Sequence, residues 1–184
     1  MLTITKSFLR ASAVIILLAC SFPGPAQRIM LKTNALGWGV LTPNLGLETR
    51  LSRHNTLNLE AYATPAHYGK YSWKHATFTP EVRHWFSGRP QARHFVGVMA
   101  LGSVYDMMLC EDIHEGMALG LGVTYGYSFV LGKRWSLELT AGAGYLYRYE
   151  KELYRLADPI SEYNHHKGHF SPLKAGVTFV YLLK

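Results

Sequence analysis

The longest regular pattern in the chain covers residues 117–149. Leu119, Leu121, Val123, Tyr125, Tyr127, Phe129 and Leu131 alternate with Ala118, Gly120, Gly122, Thr124, Gly126, Ser128 and Val130. After Gly132 and Lys133, Trp135, Leu137, Leu139, Ala141, Ala143, Tyr145, Tyr147 and Tyr149 stand against Ser136, Glu138, Thr140, Gly142, Gly144 and Arg148. A period of two puts large apolar side chains on one face of an extended strand and small or polar ones on the other. Two such runs joined through Gly132-Lys133 predict a long β-hairpin with a two-residue turn.

Shorter pieces of the same pattern predict eight strands, at 29–36, 44–51, 56–63, 76–86, 93–105, 117–131, 135–149 and 173–183. The connections 52–55, 87–92 and 132–133 are short, whereas 64–75, 106–116 and 150–169 are long. Short turns at one end and long loops at the other are the habit of outer-membrane barrels, with the turns and both termini periplasmic. An even strand count lets the last strand pair with the first and abolish the sheet's edges. The predicted fold class is all-β: a closed, eight-stranded, antiparallel transmembrane β-barrel of the smallest outer-membrane size, without a wide pore.

A soluble barrel of the lipocalin type would instead turn its apolar face inward around a ligand. Two features favour the opposite sense. Gly120, Gly122, Gly126, Gly142, Gly144 and Gly176 share the polar face, where a narrow interior must make room for long side chains. Aromatic residues gather near strand ends: Trp85, Phe86, Phe95, Phe129 and Trp135 at the short-turn end, Tyr105, Tyr145, Tyr147 and Tyr149 at the other. Such paired girdles suit two water–lipid interfaces. With the apolar face outward, Glu48, Arg50, Glu60, Glu81, Arg83, Glu138, Arg148 and Lys174 point into the lumen. Buried charges persist when paired and hydrogen-bonded, so these eight predict an interior ion-pair network acting as a polar plug. A proton or ion path is the functional alternative.

The N-terminus adds a destination. Lys6 and Arg10 precede a short apolar run at 11–19, and Gly24-Pro25-Ala26 offers small residues for cleavage before Gln27. Residues 1–26 therefore read as a signal peptide and residues 27–184 as one barrel domain. Leu17-Leu18-Ala19-Cys20 also resembles a lipobox, which would put a lipid on Cys20. Cleavage at Ala26 leaves 158 residues (184 − 26) and Cys110 as the one cysteine, so no disulfide forms within the mature chain. Loss of Lys6 and Arg10 lowers the formal charge from +7 to +5, a moderate excess suited to anionic lipid or polysaccharide. An exported chain without a basic cluster argues against nucleic acid.

Candidate chemistry lies in the loops. His165, His166 and His169, near Asp158 and Glu162, are metal-ligand types, with Cys110 and His114 available from another loop. No recognised ligand spacing is present, and a solvated basic loop is the plainer account. A lipid-modifying barrel enzyme would need a nucleophile and base at the outer rim, where His67, Ser72, His75, Ser161 and His165 could reach. None pairs at a diagnostic spacing, so neither catalytic residues nor a cofactor are expected.

Five segments carry a family resemblance: Leu31-Lys32-Thr33-Asn34, Thr42-Pro43-Asn44-Leu45-Gly46-Leu47-Glu48, Pro80-Glu81-Val82-Arg83-His84-Trp85, the stretch from Tyr125-Gly126-Tyr127 through Trp135-Ser136-Leu137-Glu138, and Pro172-Leu173-Lys174-Ala175. With them the chain resembles the bacterial family of domain of unknown function 3575, found in outer membranes of Bacteroidetes-type bacteria and sometimes encoded near surface fimbriae. The resemblance implies an outer-membrane barrel and no assigned catalytic residues. Many relatives carry a Cys-x-x-Cys pair in the last long loop; residues 157–169 here contain no cysteine. The functional expectation is a small envelope barrel with a plugged polar interior and a structural or interaction role, monomeric, embedded in outer-membrane lipid, whose long outer loops contact a surface protein or polysaccharide.

Overall fold

The computed structural model describes residues 28–68, 71–87, 91–109, 112–153 and 163–183, with the side chains of 65–73, 106–115 and 150–166 outside that description. The proposed signal peptide, the alternative lipid site Cys20, and Cys110, Asp158, Ser161 and Glu162 lie outside the described residues.

Eight strands close into one antiparallel barrel in sequence order, with the last hydrogen-bonded to the first. They are β1 (Ile29–Asn34), β2 (Asn44–Arg50), β3 (Asn55–Tyr68), β4 (Tyr71–Trp85), β5 (Arg93–Leu109), β6 (Asp112–Val130), β7 (Trp135–Leu153) and β8 (Tyr163–Leu182). Among the described residues one short helix, α1 (Ala35–Gly39), joins β1 to β2. No helix among the described residues is long and apolar enough to cross a membrane.

The expected strand count and pairing hold, while several boundaries move. In the stretches 64–75, 106–116 and 150–169, expected as long loops, the described residues are strand: β3 pairs with β4 out to Tyr68 and Tyr71, β5 with β6 out to Leu109 and Asp112. Their loss of apolar alternation ends the apolar surface, not the ladder, because backbone hydrogen bonds form whatever the side chains are. The turn between β6 and β7 is four residues, 131–134, rather than two; Leu131 and Gly132 both donate to the Trp135 carbonyl, at 3.0 and 3.2 Å. The Gly37-Trp38-Gly39 break is a helical turn, capped by the Asn34 side chain, which accepts from the Leu36 amide. Where β1 stops, Asn44 completes its ladder by accepting from the Asn34 amide and donating to the Asn34 carbonyl.

The wall is inverted relative to a soluble protein. Leu121 is 67% exposed and Val98 64%, with Leu119, Val123, Leu139 and Phe179 also outward, while the buried set is dominated by charged and hydroxyl side chains. The register lines Val82, Val98, Val123 and Ala143 side by side across four neighbouring strands, so the outward apolar surface is continuous.

Candidate functional site in the barrel interior

Each interior side chain is placed by strand parity, and six strands contribute to one ionic cluster. Lys32 of β1 donates through Nζ to Glu48 Oε2 of β2 and Glu138 Oε2 of β7, both at 2.8 Å. Arg83 of β4 is fully buried and sits at the centre. Its Nη1 donates to Glu48 Oε2 at 3.1 Å and to Glu138 Oε1 at 2.9 Å; its Nη2 donates to Glu81 Oε2 at 2.8 Å. Lys174 of β8 spans the lumen to Glu60 Oε1 of β3 and Glu81 Oε2 of β4, each at 2.9 Å.

Neutral donors complete the acids. Asn58 bonds Glu60 and Glu81, Tyr62 bonds the second Glu60 oxygen at 2.7 Å, Thr124 bonds Glu81, and Thr140 bonds Glu138 at 3.0 Å. Charge-assisted bonds of this kind make a buried pair tolerable. Space is made by glycine. At Gly97 an added Cβ would lie 2.7 Å from Glu81 Oε1, and at Gly46 it would lie 2.9 Å from Glu60 Cγ.

Below the cluster, toward the short turns, Trp85, Phe95, Met30 and Val180 are buried. The Arg83 guanidinium lies 4.6 Å from the centre of the Phe95 ring, a cation–π contact, and Trp85 packs 4.7 Å from Phe95 while donating to the Thr56 hydroxyl. Above it, a cavity of about 250 Å³ opens toward the other end, lined by Asn34, Tyr62, His75, Thr77, Met99 and Leu101 among others.

Six of the eight expected lumen charges, Glu48, Glu60, Glu81, Arg83, Glu138 and Lys174, meet in this cluster. Two do not. Arg50 is half-buried at the mouth, where its Nε donates to the Ser52 carbonyl, and Arg148 is exposed high on β7 opposite Lys167. Parity gives Arg148 the lumen face, but its height carries it above the packed interior. Lys32 takes the missing cationic role. Its signal was its place beside Thr33 and Asn34 on a strand too apolar on both faces to show clean alternation.

The aromatic expectation also needs correction. Phe86, Phe129, Trp135, Tyr145 and Tyr147 are exposed on the outer wall, and Tyr149 is half-exposed, but Trp85 and Phe95 are wholly buried inside. Trp85 shares the parity of Glu81 and Arg83, which was the available signal.

Four carboxylates against three cations leave the cluster with one excess negative charge, and Glu48 Oε1, Asn58 Oδ1 and Arg83 Nε are buried there without a hydrogen-bond partner among the described residues. The cluster contains no histidine, cysteine or serine, so its chemistry is fixed charge rather than a nucleophile with its base. Of the loop candidates, His75 lines the upper cavity with Nδ1 unpartnered among the described residues. His67, Ser72, His165 and His166 lie on strands with side chains outside the description, and His169 is exposed. Among the described residues no group of three metal-ligand side chains comes together.

A family model described as a protein of unknown function, DUF3575, matches residues 12–183, nearly the whole chain. The chain belongs to the DUF3575 family. No curated protein and no solved structure matches it. The family description names no activity, and nothing in it points to catalysis. In this DUF3575 barrel, six of the seven clustered charges, all but Glu60, fall in the five segments that carried the resemblance.

Proposed function

We propose that this protein is a small outer-membrane β-barrel with a structural interior, exported by its N-terminal signal peptide, whose hairpin arms meet a surface protein or polysaccharide. The observation that carries the reading is the inverted wall: apolar residues outward around the barrel, with charges and hydroxyls inside. In water that surface would far exceed the apolar patch a soluble monomer exposes. In a bilayer it is the required surface.

The dimensions agree. Along β6 the outward residues from Met117 to Phe129 span twelve steps, roughly 40 Å along the strand and about 30 Å when tilted by some 40°. Strands β5 to β8, of 17 to 20 residues, overshoot the 9–11 that a bilayer needs and would project beyond it as paired arms. Short turns and termini share the opposite end, which on this reading is periplasmic.

Detergent extraction of an outer-membrane fraction should yield a band whose gel migration changes on boiling. A protein that stays monodisperse in buffer without detergent would overturn the membrane reading. An affinity pull-down from native membranes tests the partner: a recovered surface protein or polysaccharide supports it, and recovery of lipid alone removes it.

A further inference from the structure

Cations are found toward both ends of the barrel, Arg148 and Lys167 among them at the far end, whereas the acids are confined. Of the twelve acids in the sequence, Glu48, Glu60, Glu81 and Glu138 lie inside, and the remaining eight fall between residues 106 and 162, where Asp106, Asp112, Glu115, Glu150 and Glu152 occupy strand positions away from the short turns. The short-turn end has no acid. It carries Arg28 ahead of β1, Arg50 and Arg53 beside the turn from β2 to β3, Arg93 at the start of β5, and Lys133 and Arg134 in the turn from β6 to β7. In sequence, Arg89 and Lys184 fall in the same group of connections and termini. All three turns and the paired termini thus contribute cations.

Arg28, Arg53, Arg93, Lys133 and Arg134 are exposed, and no ion pair among the described residues involves them. Immediately next to this ring the outer wall is apolar and aromatic, with Leu51, Phe86, Phe129, Leu131, Trp135 and Leu183 exposed. Long basic side chains over an apolar belt match phosphate headgroups over acyl chains, since the stems can lie along the belt while the charges reach the headgroup layer. A ring spread over four junctions, rather than one dense cluster, fits several separate monovalent headgroups better than a single acidic chain.

We propose that the short-turn rim gathers anionic glycerophospholipid headgroups of the phosphatidylglycerol class from the leaflet it faces. This rests on the membrane reading above, which a separate measurement tests. The mature chain is refolded into vesicles of phosphatidylcholine alone and of phosphatidylcholine with phosphatidylglycerol, insertion being read by heat-modifiable migration. Spin-labelled lipids of each headgroup then report which is held at the protein surface.

The expected result is insertion into both vesicles with a several-fold preference for phosphatidylglycerol, lost at high salt. Combined substitution of Arg53→Gln, Arg93→Gln, Lys133→Gln and Arg134→Gln should abolish the preference without touching the buried cluster, and each single substitution should remove part of it. Equal retention of both lipids by inserted protein overturns the proposal and leaves the membrane reading standing. Failure to insert into either vesicle overturns the membrane reading and the proposal with it. A preference unchanged in the single and combined variants also overturns it. So does a rim that prefers lipid A to phosphatidylglycerol, because the short turns would then face the other leaflet.

Discussion

At the scale of single residues, Arg83 holds the interior together. It bonds Glu48, Glu81 and Glu138 while stacking over Phe95, so its removal takes a cationic partner from three buried carboxylates at once and leaves them to Lys32 and Lys174. Arg83→Met should cost roughly 3–5 kcal/mol, the range for breaking a buried ionic group by deleting one partner. Urea unfolding in micelles, followed through tryptophan fluorescence, to which buried Trp85 contributes, measures it. Arg148→Met should cost less than about 1 kcal/mol, as for a surface charge; equal losses would put Arg148 back among the interior groups. Alternation told which face a residue takes, and so placed Glu81 and Arg83 correctly. It could not tell height, and Arg50 and Arg148 were misplaced because each shares the lumen face yet sits at or beyond a mouth. Lys32 escaped for the opposite reason, since β1 has apolar residues at both parities.

At the scale of elements, the β6–β7 hairpin fixes the sense of the wall. Leu121 pairs with Tyr145 and Ala100, all on the outward face, well away from both ends of β6. Leu121→Lys should destabilise the barrel by roughly 2–4 kcal/mol in lipid if this position lies near the bilayer midplane. The check is a urea titration in vesicles, with Leu121→Ala as the milder comparison, and a negligible difference would mean that this face does not meet lipid. The hairpin was legible because its alternation runs unbroken for more than a dozen residues on each arm. The outer arms were not, since Tyr, His and Trp at 64–75 resemble a loop in composition while the backbone there continues its ladder. Helix α1 was equally hidden: a five-residue turn depends on the Asn34 cap and leaves no periodic trace.

At the scale of the whole molecule, the interior is closed by side chains from top to bottom of the cluster. Trp85, Phe95, Met30 and Val180 close the short-turn side, and no acid or base of the cluster is more than 9% exposed. Eight strands leave little room for a water column in any case. Purified protein in planar bilayers should therefore show no stable conductance steps, and a persistent open level would reveal a continuous aqueous path.

The seam where the barrel closes is its shortest main-chain junction with β8: β1 meets β8 only along residues 30–34 and 178–182, whereas β7 follows β8 from 135 to 152. By backbone alone this five-pair seam, like the four-pair junction of β1 with β2, would be a place for the wall to part. Lys32 changes that, because it reaches past β8 to Glu138 on β7, while Lys174 on β8 is tethered across the lumen to β3 and β4. Separating β1 from β8 would pull apart the buried Lys32–Glu138 pair before any opening formed in the wall. If the barrel lies in a bilayer as proposed, it is thereby denied a lateral gate: sideways passage between its interior and the lipid would first require dismantling the charges that hold its strands in a ring.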